Sequence, residues 1–83
     1  MEPDVIAVEG TDTFGLLLTY ANGEQRLYDM SPMLQYAYFA PLRDIDFFKK
    51  NAHPAYGTVS WGNRIDIAPE ELYHNSTPLN YSK

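Results

Sequence analysis

Apolar and polar residues alternate over much of the first thirty positions, and a period of two predicts strands with one buried face. Residues 5–9 make the first strand, with Ile6 and Val8 on one side, ended by Gly10 and a polar Thr11-Asp12-Thr13 turn. In the second strand, 14–20, Phe14, Leu16, Leu18 and Tyr20 share a core face while Leu17 and Thr19 form the other. Asn22-Gly23 predicts a type I′ hairpin, because these residue types accept the two positive φ angles of that turn. The returning strand, 24–30, places Arg26, Tyr28 and Met30 on one face and Gln25, Leu27 and Asp29 on the other, with Tyr28 and Met30 in the core.

At Ser31 the period changes. Ser31-Pro32 reads as a helix start, the serine capping an orphan N–H and the proline taking the first helical position. Met33, Leu34, Ala37 and Tyr38 then form an apolar stripe along a helix over 32–39, which Pro41 stops. Over 42–50 neither period wins, and one helical turn capped by Asp44 is expected. Residues 51–55 follow as a strand ending at Pro54, with Tyr56-Gly57 turning the chain.

The stretch 59–73 organises the rest. Val59, Trp61, Ile65 and Ile67 share one side if the chain is extended on both flanks of Gly62-Asn63. Pro69 opens a short helix over 69–75, Glu70 and Glu71 lie at the positive end of its dipole, and Leu72 and Tyr73 meet the core. Asp66 is expected to bind backbone N–H groups of the turn or the helix start, with Arg64 as a nearby charge. Residues 76–83 are polar, carry Pro78 and are expected to fray. The pattern is that of an α+β domain over 1–75: a small, mostly antiparallel sheet of hairpins with two or three short helices packed on one face.

Composition narrows the classes of function. A chain of 83 residues makes one small core, and aromatics at 14% enlarge what that core buries. No cysteine is present, which removes disulfides, thiolate metal sites and a cysteine nucleophile. The acidic start Met-Glu-Pro-Asp lacks the basic and apolar regions of a signal peptide, and no apolar run is long enough for a membrane span, so a cytoplasmic location is expected and Asn75-Ser76-Thr77 and Asn80-Tyr81-Ser82 read as chance sequons. A net charge of −5 with scattered basic residues argues against direct nucleic-acid binding and favours a basic protein partner.

Candidate chemistry is sparse. His74 in the last turn of the closing helix answers the helix dipole, and His53 precedes a proline at a strand end; neither lies at metal-ligand spacing. Asp44 and Asp46, with Asp29 and Asp66, are the available carboxylates, but Asp44 reads as a cap and Asp29 as the brace of a turn. With no nucleophile elbow and no phosphate loop, no catalytic, cofactor-binding or metal residues are expected.

The order of landmarks, Leu16-x-Leu18-x-Tyr20-x-Asn22-Gly23-Glu24, Tyr28-Asp29-Met30, Leu34, Phe39-x-x-Leu42, Phe48, Val59-x-Trp61 and Asp66-x-x-Pro69-x-x-Leu72-Tyr73, resembles the bacterial domain of unknown function 2442. Gly62-Asn63-Arg64 departs from the proline and Asn-Gly of that pattern. The resemblance implies an α+β domain with no agreed catalytic residues. It also implies frequent pairing with a second small protein in a toxin–antitoxin-like arrangement, and in some relatives fusion to a helix-turn-helix domain.

Three functions follow as expectations. One is an interaction module that engages a basic partner through a sheet edge or the face of Leu17, Thr19 and Leu27, with Asn22, Gly23, Trp61, Asp66, Pro69, Leu72 and Tyr73 as structural residues. A second is a small-molecule binder or enzyme gathering Tyr28, Asp29, His53 and Asp66 around an aromatic pocket. A third is a homodimer formed by edge pairing.

Overall fold

The structure, a computed structural model, describes residues 2–62 and 64–79. In chain order its elements are β1 (Val5–Gly10), β2 (Gly15–Tyr20), β3 (Gln25–Asp29), two 3₁₀ segments (Ser31–Gln35 and Ala37–Arg43), α1 (Ile45–Asn51), β4 (Ala52–Ala55), β5 (Thr58–Trp61), β6 (Ile65–Asp66), α2 (Pro69–His74) and β7 (Thr77–Pro78). They form an antiparallel sheet ordered β1-β2-β3-β7 and a second ordered β4-β5-β6. The α+β class stands, with two sheets in place of one. β1 runs against β4, and the Val5 N–H donates to the Gly57 carbonyl at 3.1 Å where they meet.

Between the sheets and helices lies one core. Leu16, Leu18 and Tyr20 of β2 face Val59 and Trp61 of β5, Phe48 of α1 and Leu72 of α2, all of them buried. Trp61 is 1% exposed, stacks on Phe48 with ring centroids 5.8 Å apart, and donates its indole N–H to the Phe48 carbonyl at 3.1 Å. The tryptophan thereby ties the three-stranded sheet to α1. That helix starts where Asp44 was expected to cap it: the carboxylate accepts the N–H groups of Asp46 (3.0 Å) and Phe47 (3.4 Å). Seven residues follow, longer than the single turn expected.

Three local expectations are corrected along the hairpins. Val5 pairs with Tyr20 and Ala7 with Thr19, so Ile6 is the extra residue of a β-bulge; Val5 returns to the core face and Ile6 is exposed. Strand β2 begins at Gly15, and Phe14 adopts a left-handed φ of 63° in a three-residue loop, where its ring packs edge-on against Phe48. The Asn22-Gly23 hairpin has the same three-residue form: only Gly23 is left-handed (φ 93°), and its N–H donates to the Tyr20 carbonyl. The turn with two consecutive positive φ angles is Tyr56-Gly57, at 53° and 80°.

Residues 31–43 form no α-helix. Successive three-residue bonds, Met33 N–H to Met30 O, Tyr36 to Met33 and Phe39 to Tyr36, wind the chain at a period near three. The period sends Phe39 and Leu42 inward and leaves Ala37 and Tyr38 exposed, so of the expected stripe only Met33 and Leu34 pack against the core. Two prolines, each lacking a donor, favour this tighter form over a continuous α-helix. Asp29 braces the turn into the first segment, as expected: its carboxylate accepts from both the N–H and the hydroxyl of Ser31, while the N-cap position, Met30, makes no side-chain cap bond.

The segment from Ser76 to Leu79 is tied down where a loose tail was expected. Arg26 sits on the inner face of β3 at 8% exposure, and its guanidinium donates to Ser76 Oγ (2.6 Å) and to the Ser76 carbonyl (3.0 Å). Glu24 lies 3.3 Å away and the Tyr73 ring 4.3 Å beneath. A buried guanidinium needs such acceptors, and Ser76 supplies two. Thr77–Pro78 then pairs with β3, while residues 80–83 lie outside the described residues.

Candidate functional site

Alternation assigns each sheet an outer face. On the four-stranded sheet it carries Ala7 and Glu9 of β1, Gly15, Leu17 and Thr19 of β2, and Gln25, Leu27 and Asp29 of β3. Leu17 stands directly opposite Leu27, and neither belongs to the core cluster. Leu17 is half-buried by its strand neighbours and Leu27 is 40% exposed. Thr19 accepts from the Gln25 side chain at 3.1 Å, so the Leu pair is bordered by a neutral polar pair on one side. Glu9 lies across from Leu17 and Asp29 across from Gly15. The hydrogen bonds from Ser31 hold Asp29 below the usual carboxylate range, so it is charged at neutral pH. A groove of about 470 Å³ runs beside Leu27 between Thr11, Thr13, Asp29 and Ser31.

The outer face of the three-stranded sheet differs. His53 pairs with Ser60 and Ser60 with Asp66, so the three side chains form one row across β4, β5 and β6. They floor a cleft of about 420 Å³ with Tyr56 at one end and Arg64 at the other. His53 Nδ1 lies 2.9 Å from the Asn51 carbonyl, which can only accept, so Nδ1 carries a proton and Nε2 is the uncommitted ring atom. Ser60 donates its hydroxyl to the Ile65 carbonyl at 2.9 Å. Asp66 meets Tyr38: the phenol oxygen is 3.2 Å from Asp66 Oδ1, accepts the Asp66 N–H, and lies 3.1 Å from the Arg64 carbonyl. Asp66 therefore meets the 3₁₀ segment through Tyr38, where backbone N–H groups of the turn or of the start of α2 had been the expected partners.

The residue pattern of this chain decides its kinship. The model of a protein family of unknown function, DUF2442, matches residues 5–78. The chain belongs to the DUF2442 family. Neither a curated protein nor a solved structure matches it. The matched span takes in every strand and helix described above, including β7.

Against this frame of a DUF2442 domain, the remaining sequence candidates divide. Trp61, Leu72, Pro69 and Tyr73 are framework: Leu72 is fully buried, Pro69 starts α2, and Tyr73 packs edge-on against Tyr20 and donates to Glu24. Asn22 accepts the Glu24 N–H at 3.0 Å within its loop. His74 lies at the C-terminal end of α2, 2.9 Å from Glu2. Of the four residues proposed for a pocket, His53 and Asp66 come together; Tyr28 is buried with its phenol on Glu71 at 2.9 Å, and Asp29 lies on the other sheet. Among the described residues no three metal-ligating side chains converge, and no helix is long and apolar enough to cross a membrane. Ser60, Tyr38 and Tyr56 were missed. Their signal was the pair of consecutive hairpins, which sets residues 53, 60 and 66 side by side.

Proposed function

We propose that this DUF2442 domain is a cytoplasmic protein-interaction module, the acidic, antitoxin-like half of a pair, whose docking face is Leu17, Thr19 and Leu27 and whose partner is a small basic protein. The observation that carries this reading is the Leu17–Leu27 pair, central on a sheet face that no helix of the described residues packs and bordered by Glu9 and Asp29. An apolar centre within a polar rim is the layout of a protein interface. Net charge of −5 selects for a positively charged partner and speeds its encounter. A face serves better than an edge here, because β1 is flanked by β4 and the outer strands β6 and β7 are two residues each.

The test is affinity purification of the tagged domain from its native cells, alongside Leu27→Asp. A basic protein that co-purifies with the wild type and is lost with the variant supports the reading. Failure to recover any protein reproducibly, or recovery unchanged by the substitution, removes it. Sedimentation of the purified domain separates a heteromeric partner from pairing of two copies.

A further inference from the structure

The cleft on the three-stranded sheet is independent of that docking face, and its chemistry is specific. We infer that it binds a small zwitterion bearing a primary ammonium group, an amino acid or dipeptide, with the ammonium over Ser60 and the carboxylate on Arg64.

The ammonium half follows from the row of acceptors. Neighbouring strands are about 4.8 Å apart, which puts the backbones of His53 and Asp66 about 10 Å apart with Ser60 midway. Each member has a free lone pair. Nε2 of His53 accepts because Nδ1 holds the proton given to Asn51 O. Ser60 Oγ accepts because its own hydrogen is committed to Ile65 O. Asp66 keeps one carboxylate oxygen beyond the one that meets Tyr38. Three acceptors lining one cleft are matched in number by the three donors of a primary ammonium.

The carboxylate half follows from Arg64. It is exposed, shares the outer face of the hairpin with Asp66 two residues on, and among the described residues forms no ion pair with it. An anion alone would be repelled by Asp66, and a cation alone by Arg64; a dipolar ligand satisfies both. Space for it comes from Gly62, where a Cβ would meet nothing within 4 Å.

Tyr56 supplies the mouth. It is 99% exposed and held at a left-handed φ of 53°, a conformation a tyrosine seldom adopts. Among the described residues no hydrogen bond or ring contact uses its ring. Placed at the edge of a cleft for an ammonium, the ring offers a cation–π face.

The experiment is an amide-resolved NMR titration of the 83-residue chain with glycylglycine, N-acetyl-glycylglycine and glycylglycinamide. Glycylglycine is expected to shift the amides of His53, Ser60 and Asp66 saturably, and the acetylated form, which lacks the ammonium, is expected to bind about tenfold more weakly or not at all. Asp66→Asn should weaken glycylglycine and its amide alike. Arg64→Gln should weaken glycylglycine to the level of the amide while leaving the amide unchanged. Spectra that match the wild type away from the cleft exclude misfolding of either variant. Absence of saturable shifts, equal binding of the acetylated dipeptide, or indifference to both substitutions would overturn the assignment.

Discussion

At the middle of the outer face of the four-stranded sheet stands Leu17 opposite Leu27; at the corresponding place on the three-stranded sheet Ser60 stands between His53 and Asp66. Both positions belong to central strands whose inner residues, Leu16 and Leu18 or Val59 and Trp61, are sealed in the same core. The inner faces are therefore interchangeable in character, and the outer ones are not. An aliphatic pair bordered by Glu9, Asp29 and the Thr19–Gln25 pair, outside the core cluster of the described residues, suits a flat protein surface. A polar row within a cleft has lone pairs to fill and suits a small ligand. What the two share is anchorage, and that is where the contrast can be broken.

The largest effect is expected at Trp61. Trp61→Ala removes the stack on Phe48 and the bond to its carbonyl, and should cost about 3–5 kcal/mol in chemical denaturation. Because this indole holds the three-stranded sheet to α1, amide exchange in β4–β6 should rise before that in β1–β3. Uniform exchange would mean that the two sheets unfold as one unit. Arg26→Met tests the opposite side. It strips Ser76 and Glu24 of their buried donor, with an expected loss of about 2 kcal/mol and early exposure of β7. An unchanged urea midpoint would show that Ser76 is held by the Tyr73 carbonyl alone.

These anchors also mark how far the chain could be read without coordinates. The indole, the alternating Leu16, Leu18 and Tyr20, and the Asp44 cap rest on contacts within a few residues or on burial that alternation reveals. The failures have non-local causes. Asn22-Gly23 carries the residues of a type I′ turn, yet the register of the β2–β3 hairpin gives it a three-residue loop, whereas Tyr56-Gly57 takes two consecutive positive φ angles with a tyrosine in place. Ser76 looked like tail because its partner, Arg26, is fifty residues away. The cleft required the register of two hairpins before His53 and Asp66 could be set in one row.

A smaller effect, of opposite sign, separates the cleft from its scaffold. Tyr56→Asn relieves the left-handed strain with a residue that tolerates it, and should stabilise the domain by about 1 kcal/mol while weakening glycylglycine binding. A variant that is less stable would show that the Tyr56 ring contributes to the fold.

Acidification acts on the four-stranded sheet. Hydrogen bonds from Tyr73 and Asn22 hold Glu24 below its ordinary value of 4.5, and those from Ser31 hold Asp29 below 3.8. A carboxyl with a depressed folded-state pKa binds its proton more readily when unfolded, so its contribution is complete above the ordinary value and is lost as pH falls through the lower folded one. Denaturation midpoints measured from pH 7 downward should stay level and then decline below about pH 4.5, a decline that Glu24→Gln should reduce. A midpoint that rises on acidification would contradict these assignments.

The smallest expected change in stability is that of Leu27→Asp, within about 0.5 kcal/mol because the side chain is on the surface. That near-silence makes it the sharpest probe of the division of labour between the two faces. The decisive measurement is recovery of the co-purifying protein from native cells by Leu27→Asp and Arg64→Gln domains compared side by side. Recovery should be lost with Leu27→Asp and remain at the wild-type level with Arg64→Gln. Equal recovery by the two variants, or loss with Arg64→Gln alone, would contradict the assignment of the aliphatic face to the partner.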